Sequence, residues 1–127
     1  NILDPISFNR PGDIICNLVL QFIPPEERKG CLSQYYDSLE PGSPLIIVEK
    51  IRNEHSQLQE IYTKSYHQLK RENGYTEKEV KNKDNALQNV LRSETNQFYD
   101  DLLKSCGFLN RDVFFKWYNF VGYVAIK

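Results

Sequence analysis

Asp112-Val113-Phe114-Phe115-Lys116-Trp117-Tyr118 is followed, across an Asn119-centred link, by Phe120-Val121-Gly122-Tyr123-Val124-Ala125-Ile126. Both runs are rich in β-branched and aromatic side chains, which suit a pleated, half-buried surface. A parallel crossover needs a dozen or more residues, so this spacing predicts an antiparallel hairpin. Phe114, Phe115, Trp117, Tyr118 and Phe120 are expected to lie mostly in the core. Side chains alternate along a strand, so Trp117 or Asn119 is expected to face the mouth of a site.

Immediately upstream, a helix is expected from Ser93 or Thr95, with Phe98, Leu102 and Leu103 inward and a stop at Cys106-Gly107-Phe108. Residues 54–91 are polar and helical, with one stripe through Leu58, Ile61, Tyr62, Ser65, Tyr66 and Leu69 and another through Val80, Leu87, Val90 and Leu91. Asn73-Gly74 divides them as a C-cap, and Thr76 with Glu79 forms a capping-box pattern. This segment is expected to be a helical insertion over the edge of a sheet. Further upstream, Leu45–Ile51 and Asp13–Leu20 are short, nearly continuous apolar runs, as in strands covered on both faces. Pro24-Pro25-Glu26-Glu27 opens a helix between them, and Glu40-Pro41-Gly42-Ser43-Pro44 ends it. Strand, helix, tight turn and strand make a right-handed βαβ unit with parallel strands.

The fold class is therefore α/β. A parallel sheet that closes on an antiparallel hairpin resembles the class I methyltransferases, a Rossmann-like fold, and the element order here looks like its fourth to seventh strands. All 127 residues then form the carboxy-terminal part of one domain. The chain opens on Asn1-Ile2-Leu3-Asp4 without an initiator methionine, so a fragment is expected, inactive by itself.

Composition and charge narrow the function classes. The formal net charge is -1, which supplies no global field for nucleic acid, so direct nucleic-acid binding is not supported. Cys16, Cys31 and Cys106 lie far apart with no histidine at ligand spacing, so no metal site is expected and buried thiols are. An odd cysteine number fits a reducing cytoplasm. No apolar run approaches the roughly 20 residues of a spanning helix, so no membrane partner is expected.

Local strings carry a closer resemblance. Asn17-Leu18-Val19-Leu20-Gln21-Phe22, Pro25-Glu26-Glu27-Arg28, Leu39-Glu40-Pro41-Gly42-Ser43 and Val48-Glu49-Lys50 are similar to stations of the bacterial carboxy-S-adenosylmethionine synthases. So are Leu69-Lys70-Arg71-Glu72-Asn73-Gly74-Tyr75, Leu87-Gln88-Asn89-Val90-Leu91, Cys106-Gly107-Phe108 and Trp117-Tyr118-Asn119-Phe120. The resemblance implies a carboxylated cofactor made from S-adenosylmethionine and prephenate for tRNA wobble-uridine modification, and a homodimer. It also implies a cofactor contact at Asn17 and an adenine contact at Asn1-Ile2. One position departs from the pattern. Beyond the Asn-Gly-Tyr station the family carries an arginine that pairs with the cofactor's extra carboxylate, and counting from Tyr75 this chain has Asp84. Facing carboxylates repel each other. Lys83 or Lys81 is a substitute cation, without arginine's bidentate fork.

Each remaining candidate has two readings. Asn17, at the exit of a parallel strand, contacts the cofactor or bonds structurally. Gln21 faces a substrate or solvent. Arg71 and Tyr75 either line a substrate pocket or form a helix-dipole cation and a packed ring at a corner. His55 and His67 are expected at the surface, and no catalytic base or nucleophile is identified. The first functional reading is an enzyme that binds S-adenosylmethionine and transfers its methyl group to a small acceptor. The alternatives are a carboxy-S-adenosylmethionine synthase and a non-catalytic, methyltransferase-like dimerisation module.

Overall fold

The computed structural model describes residues 12–88 and 90–127. Asn1 and Ile2 lie outside the described residues. Strand β1 (Ile14–Asn17) is followed by a 3-10 turn (Leu20–Phe22) and helix α1 (Pro25–Ser38). Strand β2 (Pro44–Lys50) leads to α2 (Ser56–Glu72), α3 (Glu77–Leu87) and α4 (Asn96–Ser105). The hairpin β3 (Asn110–Trp117) and β4 (Phe120–Ile126) closes the chain.

The sheet order is β1-β2-β4-β3. Strands β1 and β2 pair in parallel, with Ile14 opposite Leu45 and Asn17 opposite Val48. The last strand inserts antiparallel between β2 and β3, with Pro44 opposite Ile126 on one side and Trp117 opposite Phe120 on the other. Both the βαβ unit and the hairpin are as the sequence predicts. Helices α1 and α4 lay Leu32, Tyr35, Tyr99 and Leu103 against Leu45, Ile47, Val121 and Tyr123 of one sheet face. Gly107 ends α4 at φ +102, a conformation that favours glycine. A Cβ there would stand 2.8 Å from Cζ of the Tyr36 ring.

Three expectations are corrected. The first strand does not run to Leu20: it stops at Asn17, and Leu18 turns left-handed at φ 56. The Glu49 carboxylate takes over the donors a longer ladder would use, accepting hydrogen bonds from the backbone N–H groups of Val19, Leu20 and Gln21. β1 is also open on one face among the described residues, where Ile15 is 69% exposed. Finally, the aromatic cluster is not core on β3, where Phe114, Phe115 and Trp117 stand exposed. β3 is the sheet edge, with a bulge between Val113 and Phe115, and most of its side chains are exposed. The α2–α3 segment is lightly packed: α2 buries no residue fully, and α3 buries only Val80. Its capping box forms as predicted, Thr76 Oγ1 accepting from the Glu79 N–H and Glu79 accepting from the Thr76 N–H.

Candidate functional site

Open α/β sheets bind ligands beyond the carboxyl ends of their parallel strands. At that end, β1 stops on Asn17, whose side chain is exposed and takes part in no hydrogen bond among the described residues. Leu18 N–H donates to the Val48 carbonyl at 2.7 Å, so the left-handed step at Leu18 leaves the loop tied to β2.

Beneath the loop lies a buried polar frame. Glu49 receives its three backbone donors at 2.7–3.0 Å. Burial raises its pKa, opposed by those hydrogen bonds and by the charge of Arg28. The fully buried Arg28 donates from Nε to the Ile23 carbonyl, from Nη1 to the Tyr99 hydroxyl and from Nη2 to the Arg92 carbonyl. One guanidinium therefore joins the loop, α4 and the exit of the insertion. Gln21 completes the frame: its Oε1 accepts from Lys50 N–H at 3.1 Å, and its carbonyl accepts from Arg92 N–H at 2.8 Å.

A cleft of about 260 Å³ opens above this frame, bounded by Leu18, Gln21, Lys50, Tyr66, Asp84 and Phe120 among others. Three lysines, Lys50, Lys70 and Lys83, face it against one carboxylate, Asp84. Asp84 is already engaged: its Oδ2 lies 2.7 Å from Nε2 of His67 and its Oδ1 3.8 Å from Nζ of Lys70. Tyr66 anchors the wall, with the Lys70 ammonium 4.5 Å from its ring centroid. A larger groove of about 420 Å³ lies between the Ile51–His55 segment and the start of α4. Its cations are committed elsewhere, Arg52 to Glu94 at 3.4 Å and Lys116 to the Tyr62 ring.

The structure thus brings Gln21 and Asp84 into one cleft, with Asn17 at the neighbouring strand end. Gln21, 4% exposed, spends its amide oxygen on the frame. Arg71 and Tyr75 sit outside the cleft at the α2–α3 corner, where Arg71 pairs with Glu77 at 3.1 Å and Tyr75 is half-exposed. Trp117 is one ring removed, edge-on to Tyr66 at 5.9 Å. His67, expected at the surface, is the Asp84 partner. Glu49, Arg28, Lys50 and Lys70 were not singled out by sequence. The signal for Glu49 and Lys50 was their position at the exit of a buried strand; Arg28 and Lys70 are indistinguishable in sequence from ordinary helix-surface cations.

The strand order and a cleft at the carboxyl ends of β1 and β2 define the carboxy-terminal half of a class I methyltransferase fold. Human N-acetylserotonin methyltransferase, solved in complex with S-adenosylmethionine, superposes with a TM-score of 0.64 at 18% identity, matching 100% of this chain and 32% of that one. The carboxy-S-adenosyl-L-methionine synthase of Alteromonas mediterranea is 38% identical over 122 residues, 96% of this chain and 50% of that protein. The Methylococcus capsulatus protein of the same name is 44% identical over 110 residues, 87% of this chain and 46% of that one. No protein-family model matches the sequence. The chain is similar to the carboxy-S-adenosylmethionine synthases over nearly all of its own length and spans about half the length of the curated relatives it matches.

Proposed function

We propose that this chain supplies the acceptor side of an enzyme that binds S-adenosylmethionine and transfers its methyl group to a small anionic molecule. The observation that carries the reading is the pairing of Asp84 with His67 and Lys70. The protein's own carboxylate stands where the family pattern places the arginine for a carboxylated cofactor, and a second carboxylate beside it is repelled. Ordinary S-adenosylmethionine lacks that group. Asn17 fits a polar contact to the cofactor, because its amide is exposed at a strand exit and unclaimed. When bound, the cofactor supplies an electrophilic methyl group; the chain's residues hold the acceptor. Lys50 and Lys83 leave the cleft cationic, which selects an anionic acceptor, and holding the two reactants in line requires no general base. Calorimetry on the full-length protein tests this: tighter binding of S-adenosylmethionine than of its carboxylated form is expected, and the reverse preference overturns it.

A second reading is supported by the names of the relatives and by the same two lysines. In it the protein is a carboxy-S-adenosylmethionine synthase in which lysine replaces the missing arginine, serving tRNA modification as a cytoplasmic homodimer. The exposed aromatic edge of β3 is compatible with a contact between copies. Phenylpyruvate formed from prephenate and S-adenosylmethionine, detected by mass spectrometry, supports this reading; no product at high enzyme concentration removes it.

A further inference from the structure

We propose that Lys50 is a nucleophilic amine that captures a small apolar α-keto acid as a Schiff base, with Lys70 and Lys83 holding its carboxylate. The inference deepens the acceptor-site reading above by naming the substrate class, and it rests on the same cleft.

Lys50 is the last residue of β2, half-buried, and it lines the cleft. The ammonium groups of Lys50 and Lys70 lie 5.9 and 4.5 Å from the centroid of one ring, Tyr66, so two cations share a single aromatic wall. Among the described residues Lys50 forms no ion pair, whereas Lys70 is drawn to Asp84. The three lysines are therefore unequal: Lys70 sits 3.8 Å from Asp84 with donors to spare, Lys50 has no ion-pair partner among the described residues, and Lys83 adds a further positive charge at the rim.

Burial lowers the Lys50 pKa, the neighbouring charges of Lys70 and Lys83 lower it further, and Asp84 opposes them. Desolvation next to other cations shifts a lysine toward its unprotonated, nucleophilic form. The surroundings then select the partner. An amine takes a carbonyl, the adjacent lysines take a carboxylate, and Leu18, Phe22 and Phe120 take a short apolar chain. A volume of about 260 Å³ limits the ligand to a small molecule.

In the step itself the Nζ lone pair forms a bond to the ketone carbon while the carbonyl π pair moves to oxygen. Nitrogen gives up a proton, the oxygen is protonated, and water leaves as the C=N bond forms, giving a protonated imine. No oxidant or reductant takes part. Amine, ketone and one proton become iminium and water.

Borohydride trapping tests the proposal. The full-length protein is incubated with α-ketoisocaproate in amine-free buffer without S-adenosylmethionine, reduced with sodium borohydride and mapped by peptide mass spectrometry. The expected result is a secondary-amine adduct concentrated on Lys50, exceeding by about tenfold that formed with methyl isobutyl ketone, which lacks the carboxylate. Lys50→Arg keeps the charge and is expected to lose that adduct; a Lys70→Met, Lys83→Met double variant is expected to erase the preference for the acid. Label spread over exposed lysines according to their accessibility overturns the proposal, as does equal labelling by ketone and acid. A protein that binds S-adenosylmethionine without a Lys50 adduct refutes this inference and leaves the methyl-transfer reading standing. An adduct in a protein that does not bind the cofactor does the opposite.

Discussion

Asp84 Oδ2 lies 2.7 Å from His67 Nε2, linking a carboxylate on α3 to a histidine on α2 across the insertion. With Lys70 it forms a second polar link between the two helices, beside the Arg71–Glu77 pair at their corner, and α2 and α3 bury little else. The side chain proposed to set the cofactor preference therefore also lines the cleft. Asp84→Asn keeps the shape and removes the charge. Its expected effect on global stability is small, about 1 kcal/mol or less, because each partner is partly solvated. A loss of several kcal/mol by urea denaturation would show that the pairing is a structural requirement of the domain rather than a feature of the cleft.

Glu49 makes stability depend on pH in an unusual sense. Its folded-state pKa is raised above the ordinary 4.5, first by burial, so the native state binds more protons than the unfolded one in that window. The contribution is fully present below 4.5 and is lost as pH rises through the raised folded value. Glu49→Gln removes this declining component and places an amide N–H₂ against at least one backbone donor, costing about 1–3 kcal/mol at low pH. Urea denaturation of both proteins between mildly acid and neutral pH checks it. The expected difference narrows as pH rises; a constant or widening difference contradicts it.

Arg28 satisfies three acceptors from three different segments. Arg28→Met is expected to cost about 3 kcal/mol, since it strands the Arg92 and Ile23 carbonyls in the interior. Arg28→Lys is expected to rescue little, because one ammonium cannot span the fork. Thermal unfolding of both variants decides this, and near-wild-type stability of the lysine variant would overturn it.

Gly107 combines φ +102 with the Tyr36 ring 2.8 Å from the place of a Cβ. Gly107→Ala is expected to destabilise by about 1–3 kcal/mol through backbone strain and ring displacement. If the steric contact matters, Tyr36→Ala in the same chain recovers part of the loss relative to the sum of the two single changes, measured as a double-mutant cycle.

The parts of the fold legible in sequence were those fixed by local chemistry. Pro25 with Glu26 and Glu27 marks the start of α1, Thr76 and Glu79 cap α3, and the Asn119-centred link forces the hairpin. Illegible were the parts set by what lies beside a strand. Phe114 and Trp117 have core-like chemistry, yet β3 sits at an edge, and edge position is a property of the assembled sheet. Leu18 looks like strand continuation until Glu49 offers its N–H neighbours a carboxylate from 31 positions further along the chain. In the site, Asp84 stood out because it broke a pattern. Lys50 and Lys70 did not, since their convergence depends on α2 folding back over the end of β2.

The cofactor preference of Asp84→Arg against that of the unmodified full-length protein, both by calorimetry, tests the central claim most directly. The unmodified protein is expected to favour S-adenosylmethionine, and the arginine variant to shift the ratio toward the carboxylated cofactor by about tenfold or more, the worth of a charge-assisted pair replacing a repulsion. Preference for the carboxylated form by the unmodified protein, or a ratio unmoved by the substitution, would contradict the role assigned to Asp84.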